Sequence, residues 1–213
     1  IHVGVDFGLS PAISVGQIHN GRANVLGELC AKERSMGMRR FINDAVKPYL
    51  AERFGTVDRN GEAWRFKFWG DPAGNARADS DETTGFQEII NANFDIEPAP
   101  TNNFSARRDA VAWYLTKRNG FAMDRSCVTI RKGFRGGYHY RRIQVSGEAR
   151  YQLEPYDNKF THPHDALQYW ILPFAAIETP TSHGKATPKW MQQVKGQANS
   201  ARPWMRRGGK VPA

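Results

Sequence analysis

The stretch HVGVDFG at residues 2–8 narrows the possible folds more than any other part of the chain. Val3, Val5 and Phe7 alternate with His2, Gly4, Asp6 and Gly8, so it reads as a strand with one apolar face and one acid on the other. An acid inside a Val-rich strand is costly unless it is paired or metal-bound, which makes Asp6 the best single candidate for a chemical role. The next residues, AISVGQIHNGRANVLGELC, place Asn20-Gly21 between two alternating runs, a strong hairpin signal. A three-stranded antiparallel start follows.

Beyond it, Met38, Phe41, Ile42, Ala45, Val46, Tyr49, Leu50 and Phe54 keep helical spacing, predicting a helix over 35–54 that Pro48 kinks or splits. AWRFKFWGD at 63–71 reads as a strand ending at Asp71-Pro72. Helices are predicted around 84–93 and 105–118, with an extended piece at 95–100 between them, and Ser105 and Asp109 lie near the second helix's start. Strand–helix–strand–helix order implies a parallel section of sheet. Gly136-Gly137 reads as a turn leading into a strand, YHYRRIQV, and the last helix is predicted over about 163–177. No internal repeat or heptad pattern is present.

The chain has 213 residues, 40% of them hydrophobic, enough for the core of one domain. No run approaches the roughly 20 apolar residues of a membrane span, and no signal-type segment opens the chain, so a soluble intracellular protein is expected. Cys30 and Cys127 have no metal-type spacing and suit buried thiols in a reducing compartment. The start at Ile1, already in strand-like sequence, suggests a piece of a longer polypeptide. The net charge of +9 is uneven: seven of the 30 Lys and Arg, and none of the 21 acids, fall in 179–213. Such a tail either attracts phosphates or simply aids solubility.

Asp6, Asp71 and Asp165 each lie near the end of a regular element, with no evident local partner. Meeting at one end of a sheet, they would repel unless a counter-charge were present, and hard divalent cations with oxygen ligands supply one. Two such ions can activate water and stabilise a leaving oxygen in phosphodiester cleavage. Simpler roles compete. With Pro163 as the first helical residue, Asp165 falls third, a good partner for the helix dipole. Asp71 before Pro72 suits a turn. His162 and His164 lack partners at zinc spacing, so capping or contact with the acids is the better reading. Lys159 either balances charge near the acids or is solvated. Arg131, Lys132, Arg135, Arg141 and Arg142 form a basic stretch suited to gripping a DNA backbone. Its aromatic neighbours Phe134, Tyr138 and Tyr140 suit either stacking or the core. The triplet DFG lacks the kinase context, a phosphate loop of the actin and Hsp70 type would need a second loop and a longer chain, and no Walker-type loop occurs.

HVGVDFGLSP, FWGDPAG, GFRGGYHYRR and NKFTHPHDALQYWIL, in this order, resemble the C-terminal nuclease domain of the large terminase subunit of tailed bacteriophages. The likeness covers about residues 1–178, leaving 179–213 as a basic tail. It implies an α/β, RNase H-like fold, with a mixed sheet of five or more strands flanked by helices. It also implies a DNA endonuclease of low sequence specificity that cuts concatemeric viral double-stranded DNA during packaging, with two Mg²⁺ or Mn²⁺ ions on Asp6, Asp71 and Asp165. The implied partners are DNA, an N-terminal packaging ATPase domain, the portal and the small terminase subunit, in the host-cell cytoplasm and transiently at the procapsid portal. Asp79 and Asp81 are neighbours of a fourth acid seen in some relatives, without a match to either. Alternatives are another RNase H-like nuclease, a junction resolvase or an RNase H, or a non-catalytic DNA-gripping or docking module.

Overall fold

The computed structural model describes residues 1–8, 10–31, 36–75, 84–143 and 150–175. The basic tail at 179–213, Asp79, Asp81 and the end of the YHYRRIQV stretch lie outside the described residues. Strands β1 (His2–Asp6), β2 (Ala12–His19) and β3 (Arg22–Cys30) form the expected antiparallel start. Asn20 and Gly21 turn the hairpin with φ of 50° and 68°, the paired positive values that a two-residue turn requires.

The predicted helix after β3 is one helical run of three parts: α1 (Met38–Arg40), a π-wound stretch over Phe41–Val46, and α2 (Lys47–Phe54). Pro48 sits in the first turn of α2 and neither splits nor ends the run. The wider winding just before it accommodates a residue that cannot donate to the preceding turn. β4 (Lys67–Gly70) is shorter than the sequence suggests, because Ala63 pairs with Val57 in an isolated bridge instead of extending the strand. A 3₁₀ turn over Pro72–Asn75 follows, then α3 (Gly85–Asn91), β5 (Asp95–Pro98) and α4 (Phe104–Thr116). Thr84 caps α3; Asn103, not Ser105, caps α4, its side chain accepting from the Ala106 N–H at 3.0 Å.

After α4 come a three-residue strand, β6 (Phe121–Met123), and α5 (Val128–Lys132), which runs into a π-wound stretch over Gly133–Gly137 where a turn at Gly136-Gly137 was expected. β7 (Tyr140–Ile143) then pairs with β8 (Arg150–Pro155) as a separate ribbon. The last helix, α6 (Thr161–Ala175), begins a half-turn before Pro163.

The main sheet has the order β5-β4-β1-β2-β3-β6, with β2 antiparallel to both neighbours and the other pairings parallel. One face packs Val3, Val5, Ile13, Val15 and Phe68 against Phe41, Ile42, Val46, Leu50 and Ile89 of the first helices. The other packs Ala23, Val25 and Trp69 against Ala110 and Tyr114 of α4, Ile130 of α5 and Leu167 and Trp170 of α6. β1 lies in the middle of this three-layer core, so the end of β1 is where buried chemistry can be built.

Candidate metal-binding and nuclease site

Asp6 and Asp71 are placed by strand register. Val5 pairs with Gly70 in the parallel ladder, so one step further the two acids emerge side by side at the carboxyl ends of β1 and β4. Ligands of open α/β sheets bind at such ends. Asp165 arrives from above. Small residues on the α6-facing side of the sheet let the helix sink onto it: a Cβ at Gly4 would collide with the Ala166 carbonyl, and one at Gly16 with the Trp170 ring. Trp170 Nε1 also donates to Ser14 Oγ at 3.1 Å. Asp6, two residues beyond Gly4 on the same face, therefore meets the first turns of α6, and His162 Nδ1 lies 2.7 Å from Asp6 Oδ2.

Asp165 is the fifth residue of α6, not the third, because Asn158 and Thr161 start the helix one step earlier. It is therefore beyond the unpaired N–H groups, and the helix-dipole explanation for it falls away. Its partner is Arg107 of α4, whose Nη1 donates to Asp165 Oδ1 at 3.0 Å; the two side chains are 9% and 19% exposed. Tyr138 O–H approaches the same oxygen at 3.5 Å. Arg107 Nε donates to the Asn102 carbonyl, and the guanidinium lies 4.6 Å from the centre of the Tyr169 ring. Asp71 accepts the Ala73 N–H at 2.8 Å in the turn after β4.

Burial is the largest single influence on Asp165, Arg107 and Tyr169. Burial pushes the Asp165 carboxyl up to about 6, the Arg107 charge opposes this, and the Asp6 charge adds to it. Burial works against the Arg107 cation, yet Asp165, together with the Tyr169 and Tyr138 hydroxyls, outweighs it and leaves it above its ordinary value. His162 is raised by its bond to Asp6, against burial. Burial pushes the Tyr169 hydroxyl up, with Asp71 and Asp165 adding to the shift.

His164 is placed elsewhere. It is 2% exposed, bonds the Ile130 carbonyl at 3.0 Å and stacks on Tyr138, so it docks the α5 region onto α6; burial lowers it to about 4. Lys159 is exposed, 5.3 Å from the Phe160 ring. Of the basic stretch, Lys132, Arg135, Arg141 and Arg142 are exposed, whereas Arg131 is half-buried and donates to the Asp124 carbonyl. Tyr138 is half-buried beneath α6 and receives the Gln168 amide, while Tyr140 receives Arg108. His139, Tyr140, Arg141, Arg142, Tyr151 and Tyr156 line an open hollow of about 440 Å³ beside the ribbon.

Three hard oxygen donors at one end of a sheet fit a divalent cation in chemistry. As the side chains stand, Asp6 is held by His162 and Asp165 by Arg107, and among the described residues no group of three or more His, Cys, Asp or Glu is gathered as a metal cage. Arg107 is the residue that sequence reasoning missed. The acids were expected to meet with no Arg between them, and the counter-charge present is this arginine.

The five strands β5-β4-β1-β2-β3, with β2 antiparallel and helices on both faces, form an RNase H-like fold, to which β6 adds a sixth strand. Neither a protein-family model nor a curated protein matches the sequence. Among solved structures, the large terminase of the thermophilic bacteriophage D6E in complex with ADP is similar at a TM-score of 0.56 and 14% identity, over 80% of this chain and 38% of that one. The chain thus spans well under half of that terminase. The g2p large terminase nuclease domain of bacteriophage SPP1 with bound Mn aligns at 0.47 and 16% identity, over 81% of this chain and 85% of that one. The large terminase nuclease of thermophilic phage G20c with bound magnesium aligns at 0.45 and 16% identity, over 81% of this chain.

Proposed function

We propose that residues 1–178 are a phage-type large terminase nuclease domain that hydrolyses DNA phosphodiesters, with 179–213 as a basic appendage. The observation that carries this reading is the side-by-side emergence of Asp6 and Asp71 at the carboxyl ends of two parallel strands, with α6 seated over Gly4 to bring in Asp165. Asp6, Asp71 and Asp165 would hold two divalent ions, Mg²⁺ or Mn²⁺, which when bound supply an activated water and a counter-charge for the leaving oxygen. His162 holds Asp6, and Arg107 holds Asp165. The exposed Lys132, Arg135, Arg141 and Arg142 would grip phosphates of double-stranded DNA. Partnership with a packaging ATPase domain, a portal and a small terminase subunit belongs to the same proposal, as does action in the host cytoplasm; among the described residues no helix is long and apolar enough to cross a membrane.

Supercoiled plasmid with Mn²⁺ should be nicked and then linearised, and Asp6→Asn should abolish this. Cleavage persisting in excess chelator overturns the metal-dependent reading. Comparing plain duplex, a four-way junction and an RNA–DNA hybrid separates a packaging nuclease from a resolvase or an RNase H. A second reading rests on the Arg107–Asp165 pair, which already neutralises one acid: the domain grips DNA without cutting it. Calorimetry showing no divalent binding that depends on the three acids would favour that reading.

A further inference from the structure

We infer that Arg107 is a positioning residue that fixes Asp165, turning one carboxylate oxygen towards the guanidinium and leaving the other for a ligand. The guanidinium is held at three points: Nη1 on Asp165 Oδ1 at 3.0 Å, Nε on the Asn102 carbonyl at 3.2 Å, and its flat face 4.6 Å from the Tyr169 ring centre. Arg107 of α4 thus ties the acid on α6 to the loop before its own helix and to the Tyr169 ring. Its side chain is only 9% exposed, and burying a cation is expensive unless its bonds are well made. Both hydrogen bonds to Asp165 found among the described residues, from Arg107 and from Tyr138, fall on Oδ1, leaving Oδ2 available for a ligand. A lysine has no planar fork to bond a carbonyl and a carboxylate while stacking on a ring, so Arg→Lys is not conservative here.

The part of this inference that concerns metal rests on the proposed function; the placement of Asp165 does not. In ¹³C-labelled protein without metal, Arg107→Met should shift the carboxyl signal of Asp165, and Tyr138→Phe, which removes the longer bond to the same oxygen, should shift it less. In Mn²⁺ calorimetry, Arg107→Met should weaken binding about tenfold or more, the usual effect of losing a group that orients a ligand, and Arg107→Lys should restore only part of it. An Asp165 signal unmoved in Arg107→Met, or Mn²⁺ bound as tightly as by the unaltered protein, overturns the inference. If the unaltered protein takes up no Mn²⁺, the metal reading fails and the carboxyl signals alone decide the role of Arg107. Should Arg107→Met not fold, Arg107→Lys carries both measurements, with equal carboxyl signals and equal affinity as the overturning result.

Discussion

His2 begins β1 with its ring against Phe174 and stacked on Trp170, and Trp69 Nε1 donates to its Nδ1 at 3.3 Å. Burial, helped by the N-terminal ammonium and Lys67, lowers its pKa from 6.5 to about 4. Between those values the unfolded chain binds a proton that the native protein refuses. His2 thus contributes stability that is fully present above about 6.5, drains away as pH falls towards 4, and changes no further below that. Denaturant midpoints of His2→Gln should fall less between pH 7 and 4.5 than those of the unaltered protein. Equal falls would show that the ring is not kept neutral. At this scale the sequence was legible where a residue broke a pattern. Asp6 keeps the alternation but sets an acid in a Val-rich strand, a costly choice that marks it as a candidate. Arg107 interrupts nothing: a basic residue in a helix of mixed composition reads as solvated, and only the packing of α4 on α6 reveals it as buried. Asp165 was singled out as the third residue of a helix starting at Pro163, whereas the helix begins at Thr161.

Among elements, the contact of α6 with β1 and β2 sets the site. Leu167, Trp170, Ile171 and Leu172 are buried, and the glycines beneath let backbone meet backbone. Gly4→Ala forces the helix off the strand, and overpacking of this kind costs about 1–3 kcal/mol. Because Asp6 lies two residues on, the same change should weaken divalent binding while a control, Gly37→Ala, where an added Cβ meets nothing within 4 Å, leaves it intact. Thermal unfolding paired with Mn²⁺ calorimetry checks both halves. The hairpin, β4 and α3 were readable because turn chemistry and periodicity agree there. The α5 region was not: GFRGG looks like a loop, yet it winds on from α5, with Gly136 at φ 109° taking the one conformation that other residues avoid. What starts α5 is Glu28 of β3, whose carboxylate accepts the Thr129 and Ile130 N–H groups, a capping partner a hundred residues away in sequence.

At the scale of the whole molecule, Asp6 and Asp71 lie at the carboxyl ends of β1 and β4, while Lys132, Arg135, Arg141 and Arg142 are exposed on the α5 region and the ribbon. If these cations bind DNA phosphates, replacing Arg141 and Arg142 by Gln should lower affinity for unrelated duplexes alike. It should also flatten the dependence of log K on log salt by roughly 0.9 per lost contact. Fluorescence anisotropy across a salt series measures this, and an unchanged slope removes the ribbon from the DNA path.

Phe7 follows Asp6 on the opposite face, and its ring sits where side chains at Gly70, Gly74 and Gly85 would otherwise be, with Phe86 beside it at 5.3 Å. A side chain at any of these three glycines would force Phe7, or the turn that carries Asp71, to shift, so the spacing between the two acids is set by what the three positions lack.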